Sequence, residues 1–152
     1  MNDKTWKELV ALYSKIEGEL ADGIPLPATD DDVALLLAGA KAEGLHVPQV
    51  YVEFLKNRNG TSFNGLMLYG ANVPEDDPFR RQDLVTMNQF QLNRTNETVL
   101  GTSDQDTFVV AGEHGPFRRL DGVTWDVREE FQTCEELLVS IFSEQSESLS
   151  DD

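Results

Sequence analysis

The sequence predicts an α+β fold, an antiparallel β-sheet of about five strands packed with N-terminal helices and a closing C-terminal helix. Three observations carry this expectation. The first sixty residues place apolar side chains at helical intervals. Residues 98–127 break into short runs rich in β-branched and aromatic residues, separated by turn residues. Thr133 and Glu136 then have capping-box spacing and open a last helix. Helices, then a meander, then a closing helix is an α+β order rather than an alternating βαβ order.

Each element has its own reason. Thr5 and Glu8 have capping-box spacing, and Trp6, Leu9, Val10, Tyr13, Ile16 and Leu20 follow on one helical face. Gly23 and Pro25 stop this helix, and Ile24 to Ala28 is a linker. A second helix begins at Thr29 and buries Val33, Leu36, Leu37 and Ala40. Asp30, Asp31 and Asp32 then fall in its first turn, where the helix dipole favours acids; this explains the triplet better than a metal cluster. Gly44 suits the left-handed position after the helix.

A third helix starts near Pro48, carries Val50, Tyr51, Phe54 and Leu55, and ends at Asn59-Gly60. A strand over Leu66 to Tyr69 is entered through Asn64-Gly65. The polar loop Gly70 to Phe79 follows. Asp83 caps a fourth helix, expected to run to about Arg94 with Leu84, Met87 and Phe90 at apolar positions. Strands are expected over Thr98 to Thr102, Thr107 to Ala111, Phe117 to Leu120 and Val123 to Val127, with a hairpin turn at Asp121-Gly122. In the last of these, Val123, Trp125 and Val127 alternate with Thr124 and Asp126. The final helix buries Leu137, Leu138, Ile141 and Phe142. The organisation expected is one domain over 1–143 and an acidic, Ser-rich flexible tail over 144–152.

Charge bounds the partners. The 152 residues hold 28 acids and 12 bases, a net charge of −16. Such a field repels nucleic acid and anionic membranes and attracts basic surfaces, although it also serves plain solubility. The N-terminus has no apolar signal-peptide core, and Val33 to Ala40 is too short to span a bilayer. A cytoplasmic location is the expectation, and the single cysteine, Cys134, suits a reducing compartment.

The residues offer no recognisable chemistry. His46, His114 and Cys134 have no metal-ligand spacing. Cys134 falls in the first turn of the last helix, where the dipole lowers a thiol pKa, but Glu135 and Glu136 beside it raise it, and the inert reading is preferred. No phosphate-binding glycine motif and no nucleophile elbow occur. The expectation is a binding protein, not an enzyme, with no catalytic residue, no cofactor and no metal.

One stretch is more specific. Val47-Pro48-Gln49-Val50-Tyr51-Val52-Glu53-Phe54-Leu55 leads to Asn59-Gly60 and on to Gly65-Leu66-Met67-Leu68-Tyr69-Gly70. It resembles the hallmark of the SUKH superfamily, the Smi/Knr-like domains, with Val47 where Leu is usual. Asp83-Leu84-Val85 with Asn88, Val99 to Ser103 with Asp104 and Asp106, and Phe131 with Thr133 to Leu138 extend the resemblance, notably to the YrhA-like branch, over Trp6 to Phe142.

The resemblance implies an immunity protein that binds and neutralises a cognate toxin, such as a nuclease, of a bacterial contact-dependent or polymorphic toxin system. The acidity fits a basic toxin domain as partner. The candidate partner-binding residues are Glu75, Asp76, Asp77, Asp104, Asp106 and Glu113, on loops beside strand ends. Tyr69, Phe79 and Trp125 are candidate anchors that large apolar side chains more often bury. A regulatory scaffold is the alternative, and a small-ligand binder or enzyme with a carboxylate-lined pocket ranks below it.

Overall fold

A computed structural model describes residues 3–17, 26–78, 80–91, 96–112 and 114–150. Among these, five helices flank a six-stranded antiparallel sheet whose order follows the chain. The helices are α1 (Asp3–Glu17), α2 (Asp30–Ala42), α3 (Gln49–Leu55), α4 (Leu84–Gln89) and α5 (Cys134–Ser150). The strands are β1 (Thr61–Phe63), β2 (Leu66–Leu68), β3 (Thr98–Thr102), β4 (Asp106–Val110), β5 (Phe117–Asp121) and β6 (Val127–Phe131). All five residues of β4 are buried, so both of its faces are covered.

The helix ends follow capping chemistry. Asp32 donates its backbone N–H to Thr29 Oγ1 at 3.1 Å, and its carboxylate accepts the Thr29 N–H at 3.0 Å, closing a capping box at α2. Gly44, at φ +70°, ends α2. Leu45 N–H reaches Ala40 O at 2.8 Å and Gly44 N–H reaches Lys41 O at 3.3 Å, which is the Schellman pattern. Pro48 lies one position outside α3, and that helix stops at Leu55, so Asn59-Gly60 is a separate turn rather than its terminator.

The core joins α1, α3 and α5 through an aromatic cluster. Tyr13, Phe54 and Phe142 stand with ring centroids 5.8–6.1 Å apart in edge-on or tilted pairs. Tyr51 is fully buried, and its hydroxyl donates to the carbonyls of Tyr69 and Leu100, tying α3 to the sheet. Burial holds the Tyr51 phenol well above its usual pKa, so it stays a donor.

Two buried asparagines act as substitute peptide groups. Asn88 accepts the Val99 N–H and donates to the Val99 carbonyl, both at 2.8 Å. It thereby completes the edge of β3 where the short β2 has ended. Asn59 does the same for Ala71, at 2.7 and 2.9 Å. Each amide satisfies a donor and an acceptor that burial would otherwise leave costly.

The structure corrects further expectations. Thr5 does not cap α1, which already runs from Asp3, and Leu37 on α2 is exposed rather than buried. Asn64-Gly65 does not merely precede a strand; with φ of +47° and +85° it is the two-residue turn of a hairpin whose first strand, β1, was not foreseen. Residues 123–126 are not strand. Asp121 Oδ1 accepts the N–H groups of Val123 and Thr124, both at 2.9 Å, and Trp125 takes a positive φ of 64°, so the chain turns until β6 begins at Val127. Helix α4 ends at Gln89 with Phe90 exposed, not near Arg94; Arg94 itself lies outside the described residues, as do Leu20, Gly23 to Pro25 and Phe79. Finally, α5 continues to Ser150 where a flexible tail was expected from 144, because α1 packs along it and Ser146 is buried.

Candidate protein-binding surface

Antiparallel order places the sheet's connections alternately at two ends. The tight turns 64–65, 103–105 and 122–126 share one end. They touch: Gly122 N–H reaches Gln105 O at 2.8 Å, and the Asp104 carboxylate lies over Gly65. The loop after β2 leaves from the opposite end. Its neck is closed by Gly70 N–H to Gln82 O and Leu84 N–H to Gly70 O, both 2.9 Å.

This arrangement divides the predicted site. Glu75 and Asp76 are exposed on the loop, and Asp104 is exposed at the turn end, so these acids do not form one face. Asp77 and Asp106 are buried, which withdraws them as direct contacts. Asp77 binds Arg81, whose Nη2 lies 2.6 Å from Asp77 Oδ1 and whose Nε lies 3.0 Å from Oδ2. The same arginine donates to the Asn59 carbonyl at 2.8 Å, so the pair staples the loop to the turn that precedes β1. Glu113 lies outside the described residues. Of the aromatic candidates, Tyr69 is core and Trp125 packs partly buried against it.

Asp106 anchors a charge network at the turn end. Its Oδ2 accepts from Arg119 Nη1 at 2.9 Å, and its Oδ1 from Arg128 Nη1 at 3.1 Å. Arg119 is buried over the Phe108 ring and also reaches Glu144 and Ser140 Oγ on α5. Burial alone would lower the Arg119 pKa, but the hydrogen bonds it donates to Asp106 and Glu144 outweigh it and hold the guanidinium charged. Arg128 is the extra residue of a β-bulge: Leu120 pairs with Val127 and Arg119 with Glu129. The bulge turns Arg128 over to Asp106 and to Asp121, 3.3 Å away.

Two open depressions adjoin this network. One, of about 370 Å³, is lined by Ser103, Asp104, Asp121 and Val123 among others. The second, of about 560 Å³, is lined by Glu129, Ser140, Glu144 and Glu147 among others. Gln105, Asp106 and Arg128 border both. Together they gather six carboxylates, Asp104, Asp106, Asp121, Glu129, Glu144 and Glu147, against Arg119 and Arg128. Val123 stands 89% exposed beside them, and Val127 55%. Small-molecule sites are enclosed and mainly apolar. These open, carboxylate-bordered hollows, with an exposed valine beside the first, suit protruding side chains of a protein.

Cys134 is buried, and burial together with Glu135 pushes its thiol far above the usual range. His46 and His114 are exposed, and no cluster able to hold a metal ion occurs among the described residues. No described helix is long and apolar enough to cross a membrane. Comparison with models of known protein families, and with curated proteins, finds no match.

Sequence reasoning missed Arg119, Arg128, Asp121, Glu129, Glu144 and Glu147. A signal existed for two of them. Ser140, Glu144 and Glu147 share one face if α5 is carried past 143, at spacings of four and three. Arg128 carried none, since its role depends on a bulge.

Proposed function

We propose that this chain is a Smi/Knr-like immunity protein that neutralises a basic toxin domain, a nuclease being the best fit, by docking the turn end of its sheet onto it. The observation that carries the reading is the gathering of five accessible carboxylates, Asp104, Asp121, Glu129, Glu144 and Glu147, around two open hollows, above the buried Asp106 with Arg119 and Arg128. A protein that handles a polyanion presents a basic surface. An acidic inhibitor is drawn to that surface faster than diffusion alone allows and covers the phosphate track. Tyr51, Asn59 and Asn88, which belong to the stretches that carry the resemblance, are buried polar staples of the scaffold. They bear on the scaffold, and the charged turns bear on the partner.

Co-expression tests the proposal. The neighbouring gene is expressed with and without this protein. The expected result is toxicity relieved by co-expression, with a stable complex on purification. A harmless neighbour, with several host proteins captured instead, would favour a regulatory scaffold.

A further inference from the structure

We propose that β6 is a docking edge which accepts an extended, basic segment of the partner as a seventh strand. The proposal rests on the reading that the partner is a basic protein, and adds how that partner is held. Strand β6 ends the sheet, and no strand lies beyond it among the described residues. Residues 127–130 are exposed. A terminal strand turns alternate N–H and C=O groups outward, where another strand can pair with them.

Charge says which strand fits. Arg118 pairs with Glu130 and Arg119 with Glu129 across β5 and β6. Arg118 Nε lies 3.0 Å from Glu130, and Arg119 Nε 3.8 Å from Glu129. Successive residues point to opposite faces, so each face carries a row that runs from an arginine to a glutamate and then stops at the edge. Adjacent basic residues on an added strand would continue both rows with opposite charges, the favourable cross-strand arrangement. A second copy of the chain is disfavoured, because it brings its own glutamates and a further net charge of −16. Edge charges that deter self-pairing therefore select an oppositely charged strand.

The test uses the whole protein and synthetic nine-residue peptides of Thr and Val with a central pair. The Lys-Arg peptide should bind saturably and slow amide exchange at residues 127–131. Glu129→Gln with Glu130→Gln should weaken it about tenfold at low salt, as two lost cross-strand pairs allow. N-methylation along the peptide's pairing edge should abolish the exchange protection, and a Glu-Asp peptide should not bind. Equal binding by the N-methylated peptide, or shifts confined to residues 103–105 and 121–126, would overturn strand addition. So would concentration-dependent dimers that protect β6 without peptide. Docking that persists when co-expression gives no rescue removes the toxin reading alone, and rescue without docking removes this inference alone.

Discussion

The two ends of the sheet spend the same residue type differently. At the loop end, Asp77 turns inward to Arg81, Asp83 caps α4 and accepts the Val73 N–H at 3.0 Å, and Asp32 closes the α2 cap while accepting from Asn72 at 3.1 Å. Those carboxylates hold backbone. At the turn end, the carboxylates of Asp104 and Glu147 are exposed and make no hydrogen bond or ion pair among the described residues. Asp121 combines both roles, since it fixes the turn and borders a hollow. Acid count alone therefore does not locate a binding face. Both ends keep some exposed acids, Glu75 and Asp76 on the loop and Asp104 and Glu147 at the turns; what separates the ends is that the turn-end acids border open hollows.

The largest effects should come from breaking buried pairs, one at each end. Asp77→Ala leaves Arg81 half-paired beneath the loop, and Arg119→Leu leaves Asp106 with Arg128 alone. Each should cost about 3 kcal/mol or more in urea unfolding, the usual penalty for an orphaned buried charge. The comparison predicts a further split: Asp77→Ala should leave partner association unchanged, and Arg119→Leu should slow it by distorting the turn end.

Asn88→Ala should cost about 1–3 kcal/mol, because both polar groups of Val99 lose their partner within the core. Hydrogen exchange should accelerate at Val99 before it does at Phe108, which β5 still pairs. Thr29→Ala should cost about 1 kcal/mol by loss of the α2 cap.

Acid adds a finer test. Burial tends to raise the Asp32 pKa, but hydrogen bonds from Thr29 and Asn72 outweigh it and bring it below 3.8. A depressed carboxyl stabilises above its unfolded pKa, and that contribution is lost as pH falls through the folded value. Wild type and Asp32→Asn should therefore differ most above pH 3.8 and converge below it. Glu75→Lys with Asp76→Lys should change stability by less than about 0.5 kcal/mol, as exposed substitutions do.

These contrasts also explain what was legible in the sequence. Helices with an apolar face and a cap were readable, because periodicity and capping are local: Thr29 with Asp32, Asp83 and Gly44 each stand where expected. Strand β6 was not, since Val127 to Phe131 holds three charged residues in five and shows no alternation. Its regularity comes from pairing with β5. Residues 123–126 misled for the opposite reason, as a local alternation was overruled by the Asp121 side chain. The burial of Asp77 and Asp106 was invisible because their partners are fixed by tertiary structure. The end of α5 had too few apolar residues to announce a helix, yet α1 supports it.

The most direct test of the claim that the turn end binds and the loop end supports is an association rate. The rate constant for binding the neighbouring gene's product is measured against salt for wild type, for Asp104→Lys with Glu147→Lys, and for Glu75→Lys with Asp76→Lys. Both pairs reverse the same number of charges. The turn-end pair should slow association about tenfold or more at low salt and flatten its salt dependence, while the loop-end pair leaves both close to wild type. Equal slowing by the two pairs, or slowing by the loop-end pair alone, would contradict the account.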